Sequence, residues 1–134
     1  MTNDHLHILF LPRWYPHRYD SMPGLFIQRQ AEAVSAFCDV AVLYVHADEH
    51  AANRYEIDFA EENGVRVVRV YYREPHIPLL SGVMKLWRFV HAHKLGFKML
   101  RSFQPDLLHV HVLTREGIIA RINNILTGTP YVIT

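Results

Sequence analysis

The apolar positions of this chain predict strands alternating with helices. Leu6–Leu11 and Val40–Val45 are near-continuous apolar runs, which are typical of parallel strands covered on both faces. Four apolar residues between these runs recur at helical spacing: Ile27, Ala31, Val34 and Cys38. This spacing predicts an amphipathic helix between the two strands.

The pattern changes between Tyr55 and Tyr72, where apolar and polar residues alternate with the period of a strand that is wet on one side. Asn63-Gly64 interrupts the alternation, and both residues tolerate a positive φ. Val65–Tyr72 then returns as a second apolar strand. The segment therefore predicts an antiparallel hairpin.

The second half predicts a long helix from about Gly82 to Phe103, a strand over Leu107–Val112, a helix ending at Gly128 and a last strand over Pro130–Thr134. The long helix has an apolar stripe of Val83, Leu86, Val90, His93, Phe97 and Leu100. In the shorter helix we expect the sheet-facing residues to be Ile118, Ile122 and Ile125.

This order predicts an α/β fold, a Rossmann-like and mostly parallel sheet with helices on both faces and an antiparallel hairpin at one edge. In the usual strand order, the strand ending at His111 lies beside the first strand. The crevice between them is then the switch point at which open α/β sheets bind ligands.

Bulk composition narrows the class of protein. The 134 residues suffice for one domain, and half of them are apolar, which excludes disorder. A net charge of +1 gives no reason to expect a nucleic-acid partner. The single cysteine, Cys38, excludes an internal disulfide and favours a reducing cytoplasm. We read no signal peptide and no membrane-spanning run.

The loop after the first strand carries the first candidate site residues. Gly24 would let the backbone approach an anion at the start of the helix, although a simple turn into the helix is the favoured explanation of one isolated glycine. Arg13, Trp14 and Tyr15 supply a cation and flat apolar surfaces suited to a phosphorylated or sugar ligand. Alternatively, the aromatic residues seal a domain interface.

His111, at the carboxyl end of a predicted central strand, is the candidate catalytic residue. A histidine there hydrogen-bonds a hydroxyl group or moves a proton, or it satisfies loop carbonyls. The His-x-His pairs give no metal site, because His91 and His93 lie about 200° apart around a helix. His5-x-His7 begins its strand whereas His109-x-His111 ends another, so we expect no metal and no cofactor.

Lys94, Lys98 and Arg101 lie on one side of the long helix. Such a stripe is usually a solvated face, and the alternative is contact with anionic lipid head groups. Vesicle binding that disappears when these three charges are neutralised would identify that alternative. We therefore expect a cytoplasmic protein, with peripheral contact at the inner face of the membrane as the second possibility.

Several motifs in succession resemble a known family. They are Ile8–Pro16, Gly24–Ala31, Asn63–Val67, Pro105–His111 and Thr129–Thr134. Together they resemble the N-terminal domain of GT-B glycosyltransferases, in particular the retaining family 4, or group 1, enzymes. The resemblance covers nearly the whole chain.

The resemblance implies a two-domain enzyme that transfers a hexose from a nucleotide-sugar to a glycan or lipid-linked acceptor, as in cell-envelope polysaccharide synthesis. Residues 1–134 would be the acceptor-side half, with the donor-binding C-terminal domain absent and the isolated fragment inactive. Gly24 would approach the donor diphosphate, and His111 the transferred sugar. Many members carry a Gly-Gly pair where this chain has Gly24 alone.

A second interpretation is a non-catalytic Rossmann-like or flavodoxin-like module that binds a phosphorylated ligand or a protein partner. The two interpretations predict different sequences beyond Thr134. A second α/β half with two glutamates about two helical turns apart would favour the transferase.

Overall fold

The computed structural model describes residues 5–74, 81–111 and 115–134. In this part of the chain, strands and helices follow one another in the predicted order. Their bounds are β1 His7–Pro12, α1 Leu25–Val34, β2 Asp39–Ala47, β3 Tyr55–Glu62, β4 Val65–Tyr72, α2 Ser81–Met99, β5 Leu107–His111, α3 Arg115–Thr127 and β6 Tyr131–Ile133. None of the described helices is long and apolar enough to cross a membrane.

The strands form one sheet in the order β3-β4-β2-β1-β5-β6. Every neighbouring pair is parallel except β3 and β4, which are antiparallel at one edge. The predicted α/β class, the mostly parallel sheet and the edge hairpin are thus confirmed. The chain moves outward from β1 in one direction through β2 and in the other through β5, so the switch point lies between β1 and β5.

One face of the sheet is covered by α1. Its apolar residues Ile27 and Ala31 are fully buried, and they pack in one cluster with Phe10 and Val42 of the sheet. Val34 and Cys38 are partly buried against the same cluster. The predicted helical stripe is therefore confirmed from Ile27 to Val34, whereas Cys38 lies beyond the end of α1.

The opposite face is covered by α2 and α3. Phe89 and Ala92 of α2 and Ile119 of α3 belong to one core cluster with alternate residues of the central strands. The α2 backbone comes so close to the sheet at Gly96 that an added Cβ would lie 2.1 Å from Cδ1 of Leu43. Helices therefore lie on both faces, as predicted.

The hairpin turns at the predicted residues. Asn63 has a φ of 52° and Gly64 a φ of 84°, which is the left-handed backbone that two-residue hairpins prefer. Glu62 and Val65 flank this turn as paired residues.

The helix faces differ from the prediction in two places. Ile118, Ile122 and Ile125 of α3 are 46%, 38% and 66% exposed, and the buried residues are Glu116, Ile119 and Ala120 instead. The reason is that α3 packs on β5 and β6 at the margin of the sheet, so the sheet covers a narrow strip of the helix. Val83 and Leu86 at the start of α2 are likewise exposed.

Candidate functional site

The carboxyl ends of β1 and β5 bring the first loop and His111 together. In the parallel register of these strands, Pro12 pairs with His111, so Arg13 and Trp14 follow directly beside the end of β5. Gly24 lies against the same loop, because its backbone packs on the carbonyl of Trp14. The loop after β1, with Gly24 packed against it, therefore lies next to the end of β5 at this edge of the sheet.

Gly24 is required by packing within the chain. It has a left-handed φ of 66°, and a Cβ at this position would lie 2.0 Å from the carbonyl oxygen of Trp14. Its own carbonyl begins α1 by accepting hydrogen bonds from the N–H groups of Ile27 and Gln28, at 2.9 and 3.0 Å. The close approach seen here is thus to Trp14. An approach of Gly24 to a donor diphosphate stays a prediction.

His111 is buried, with 4% of its surface exposed. Its Nε2 lies 3.0 Å from Oε1 of Gln30 on α1, and its ring packs 4.8 Å from Phe10 and 4.1 Å from His109. Burial, reinforced by the neighbouring His109, lowers the pKa of His111 to about 4. The imidazole is therefore neutral at pH 7.

The hydrogen bond to Gln30 decides what the second ring nitrogen offers. Which ring nitrogen donates depends on the tautomer, and the orientation of Gln30, with Oε1 toward the ring, matches the tautomer in which Nε2 of His111 donates. Nδ1 is then an unprotonated acceptor, and it has no hydrogen-bond partner among the described residues. The structure thus places an unfilled acceptor at the end of β5. Because the ring is almost fully covered, a ligand reaches it only after the covering side chains shift.

The three candidate residues of the first loop differ in their exposure to solvent. Arg13 and Trp14 are exposed, with the Arg13 guanidinium carbon 5.1 Å from the centre of the Trp14 ring. Tyr15 is 1% exposed and belongs to the core cluster beneath α1. Burial raises the pKa of its phenol. Contact of Tyr15 with an acceptor stays a prediction, and in this conformation its ring contacts core residues.

A cavity of about 250 Å³ opens beside Arg13 and Trp14. Its walls come from the carboxyl ends of β2 and β4, from α2 and from the start of α3. Arg115 and Glu116 are the α3 residues in the wall. Cationic and aromatic groups therefore line a pocket at the edge of the sheet where this fold binds ligands.

A polar network in the same region was missed by sequence reasoning. The Asp48 carboxylate, 2% exposed, accepts hydrogen bonds from Arg18 and Tyr19, each at 2.6 Å, and from the backbone N–H of His50. Burial alone would raise the pKa of Asp48, but these hydrogen bonds lower it to about 2. Arg18 also donates to Glu56. The feature of the sequence that could have indicated this network is the position of Asp48 directly after the second strand.

This network has an aromatic neighbour. The rings of His17 and His46 stack at 4.1 Å, and the Tyr44 hydroxyl lies 2.9 Å from Nδ1 of His46. Burial lowers the pKa of both histidines. The network thus holds the first loop against β2. Arg18 and Tyr19 already donate hydrogen bonds to carboxylates, whereas Arg13 has no such bond to a described side chain.

The basic stripe lies away from this edge. Lys94 and Lys98 are exposed on α2, and Arg101 is exposed just beyond the end of the helix at Met99. Contact of these residues with lipid stays a prediction. Within residues 5–74, 81–111 and 115–134, no three metal-ligating side chains cluster closely enough to hold an ion.

The comparisons with known proteins agree with this geometry. The model of the glycosyl transferase 4-like domain family matches residues 23–134, which include Gly24, α1, Arg115 and His111. Comparison with curated proteins gives no significant match. Because the family model spans most of the chain, the protein belongs to the glycosyl transferase 4-like domain family, the N-terminal domain of family-4-like GT-B glycosyltransferases.

Proposed function

We propose that this chain is the acceptor-side half of a retaining glycosyltransferase that moves a hexose from a nucleotide-sugar to a glycan or lipid-linked acceptor. Membership of the family supports glycosyl transfer in general. In this proposal a C-terminal half supplies the nucleotide pocket, and the active site forms between the two halves. The enzyme acts in the cytoplasm.

The observation that carries the proposal is the convergence at the switch point. His111 pairs with Pro12 across β1 and β5, and Trp14 and Gly24 lie in contact within the loop that follows β1. Open α/β sheets bind their ligands at this position. The loop that follows β1 and the end of β5, which carries His111, are thus neighbours at this edge of the sheet.

His111 is proposed to hydrogen-bond the sugar that is transferred. Its neutral ring has an acceptor at Nδ1 that no described residue fills, while Nε2 is held by Gln30. A sugar hydroxyl is a hydrogen-bond donor that matches this acceptor. Docking of the donor half would have to displace the side chains that cover the ring, so we expect His111 to become accessible only in the closed enzyme.

The start of α1 is proposed to face the donor diphosphate. Helix N-termini favour anions because of their unpaired N–H groups and the helix dipole. Gly24 places the first turn of α1 against the backbone of Trp14, which fixes that helix end beside the crevice. We propose that this half contributes neither a metal ligand nor a cofactor site, and that it stabilises charge through hydrogen bonds.

Replacement of His111 by Ala in the complete enzyme tests the proposal. We expect kcat to fall tenfold or more, because a hydrogen bond to the reacting sugar is lost. The assay measures release of nucleoside diphosphate from a panel of UDP- and GDP-hexoses. His91→Ala, on α2, is the matched control and should leave kcat unchanged.

Two results would contradict the proposal. Unchanged turnover in the folded His111→Ala protein would reduce His111 to a structural residue. Proton NMR of the product reports the anomeric configuration, and an inverted configuration would exclude the retaining reaction.

A further inference from the structure

We propose that the cavity beside Trp14 binds an anionic substituent, a phosphate or a carboxylate, carried by the acceptor saccharide, and that Arg13 and Arg115 hold this group. The inference rests on the proposed function, because it names the chemical class of the acceptor. It assigns a specificity-determining role to Arg115, which the sequence did not single out.

The two arginines reach the cavity from different parts of the chain. Arg13 belongs to the loop after β1, and Arg115 is the first residue of α3. Both line the same cavity of about 250 Å³, together with Trp14 and Phe89. The fold therefore brings two guanidinium groups to one pocket from positions far apart in the sequence.

Neither guanidinium is neutralised within the described residues. Arg18 forms ion pairs with Asp48 and Glu56, each at 2.6 Å, and Arg69 pairs with Glu62 at 2.8 Å. In contrast, neither Arg13 nor Arg115 has a hydrogen bond or an ion pair to another described side chain. Both therefore retain donors for a ligand.

Aromatic rings hold both cations in place. The guanidinium carbon of Arg13 lies 5.1 Å from the centre of the Trp14 ring, and that of Arg115 lies 5.0 Å from the centre of the Phe89 ring. Contact with a ring face orients a guanidinium without neutralising its charge. The planar N–H fork then remains available for two parallel hydrogen bonds to a phosphate or carboxylate.

The local charge balance favours an anion. Among the described lining residues, the two arginines outnumber one carboxylate, that of Glu116, which is buried. His46 also lines the cavity, and burial lowers its pKa, so it is neutral at pH 7. The cavity therefore has a net positive charge.

The volume of the cavity and the exposed ring of Trp14 favour a single charged sugar unit over a longer saccharide as the bound group. Pockets for drug-sized ligands measure about 300–1,000 Å³, so about 250 Å³ suits one sugar unit with its substituent. Trp14 is 44% exposed and offers a flat apolar surface beside the cations. A free inorganic anion would use the arginines alone.

Calorimetric titration of the protein tests the inference with four probes: glucose, glucose 6-phosphate, glucuronate and inorganic phosphate. We expect glucose 6-phosphate, glucuronate or both to bind at least tenfold more tightly than glucose. A preference for one of the two identifies the anion as phosphate or carboxylate. The double variant Arg13→Gln/Arg115→Gln should lose this preference.

Arg101→Gln is the matched control, because it removes an exposed cation that does not line the cavity. It should retain the preference, and circular dichroism should show all variants folded. Equal binding of glucose and both charged sugars would overturn the inference. So would an equal loss in Arg101→Gln, or inorganic phosphate binding as tightly as glucose 6-phosphate, which would mean an adventitious anion only.

These outcomes separate the subsite from the proposed function. If neutral and anionic acceptors are glycosylated equally well while His111→Ala remains impaired, the anionic subsite is wrong and the transferase proposal stands. If no nucleotide-sugar is turned over, yet charged sugars bind through Arg13 and Arg115, the pocket stands and the transferase proposal fails.

Discussion

At the scale of single residues, Gly24 links the sequence to the site most directly. Its left-handed backbone starts α1, and its missing side chain lets the helix approach the carbonyl of Trp14. Trp14 in turn lines the proposed acceptor cavity. The position of Trp14 in the cavity wall therefore depends on Gly24, which does not itself line the cavity.

Replacement of Gly24 by Ala should lower the free energy of unfolding by about 2–5 kcal/mol. A left-handed backbone costs an alanine about 1–2 kcal/mol. The new Cβ would also meet the backbone of Trp14 and Tyr15. Because a backbone cannot rotate away as a side chain can, overpacking adds a further cost of about 1–3 kcal/mol. Urea denaturation measures the loss.

Gly128→Ala is the matched control for Gly24→Ala. Gly128 also has a positive φ, 77°, but no atom in the described part of the chain lies within 4 Å of an added Cβ. We expect that variant to lose about 1–2 kcal/mol, the cost of the backbone alone. If the two variants lose equal stability, the close approach of Gly24 to Trp14 is not important.

For His111, the sequence predicts the position in the fold but not the surroundings of the side chain. The pattern of β5 located His111 at the end of a central strand, which the structure confirms. Its burial and its bond to Gln30 were not predictable, because the two residues are 81 positions apart. Which nitrogen can accept a ligand depends on that distant amide.

At the scale of elements, local patterns predicted the hairpin and α1 but not the faces of α3. Asn63-Gly64 specifies its own turn, and Ile27 and Ala31 face a sheet that covers them broadly. Ile118 and Ile122 repeat with the same helical period. Periodicity identifies an apolar stripe but not which element covers it. Because α3 lies at the margin of the sheet, part of its stripe stays exposed.

The packing of α2 on the sheet depends on Gly96. An alanine there gains up to about 1 kcal/mol of helix propensity, but its Cβ would lie 2.1 Å from Cδ1 of the buried Leu43. Overpacking of this kind costs about 1–3 kcal/mol. We expect Gly96→Ala to lose about 1–2 kcal/mol in urea denaturation.

Two further variants test this explanation. Gly82→Ala, with no atom of a described residue within 4 Å of the added Cβ, should lose nothing and gain up to about 0.5 kcal/mol. Combining Gly96→Ala with Leu43→Ala should cost at least about 1 kcal/mol less than the sum of the single changes, since the contact is then relieved. Strict additivity would show that Gly96 and Leu43 do not compete for space.

At the scale of the molecule, topology predicted that β5 lies beside β1 but not how the charges at this edge of the sheet are paired. The order of elements placed β5 beside β1, which follows from the usual winding of such sheets. The ion pairs of Arg18 with Asp48 and Glu56 join three separate segments. Arg13 forms no such pair with a described residue, a difference between Arg13 and Arg18 that depends on contacts between distant segments.

Two buried histidines, one on each face of the sheet, make stability depend on pH. Burial lowers the pKa of His93 and of His111 to about 4, whereas a histidine in the unfolded chain titrates near about 6.5. Above pH 6.5 both states are neutral. As the pH falls from about 6.5 to 4, the unfolded chain binds protons that the folded protein excludes, so the free energy of unfolding decreases.

The steepest decrease should approach about 1.4 kcal/mol per pH unit for each histidine. Urea denaturation between pH 7 and 5 measures the total slope, to which His17, His46 and His109 also contribute, because burial lowers their pKa values too. His93→Met should reduce that slope by up to about 1.4 kcal/mol per pH unit. The carboxylates of Asp48, Glu56 and Glu62, whose pKa values are lowered by hydrogen bonds, add to the loss of stability below about pH 5, which is outside this range. A slope unchanged in His93→Met would mean that His93 is protonated inside the fold.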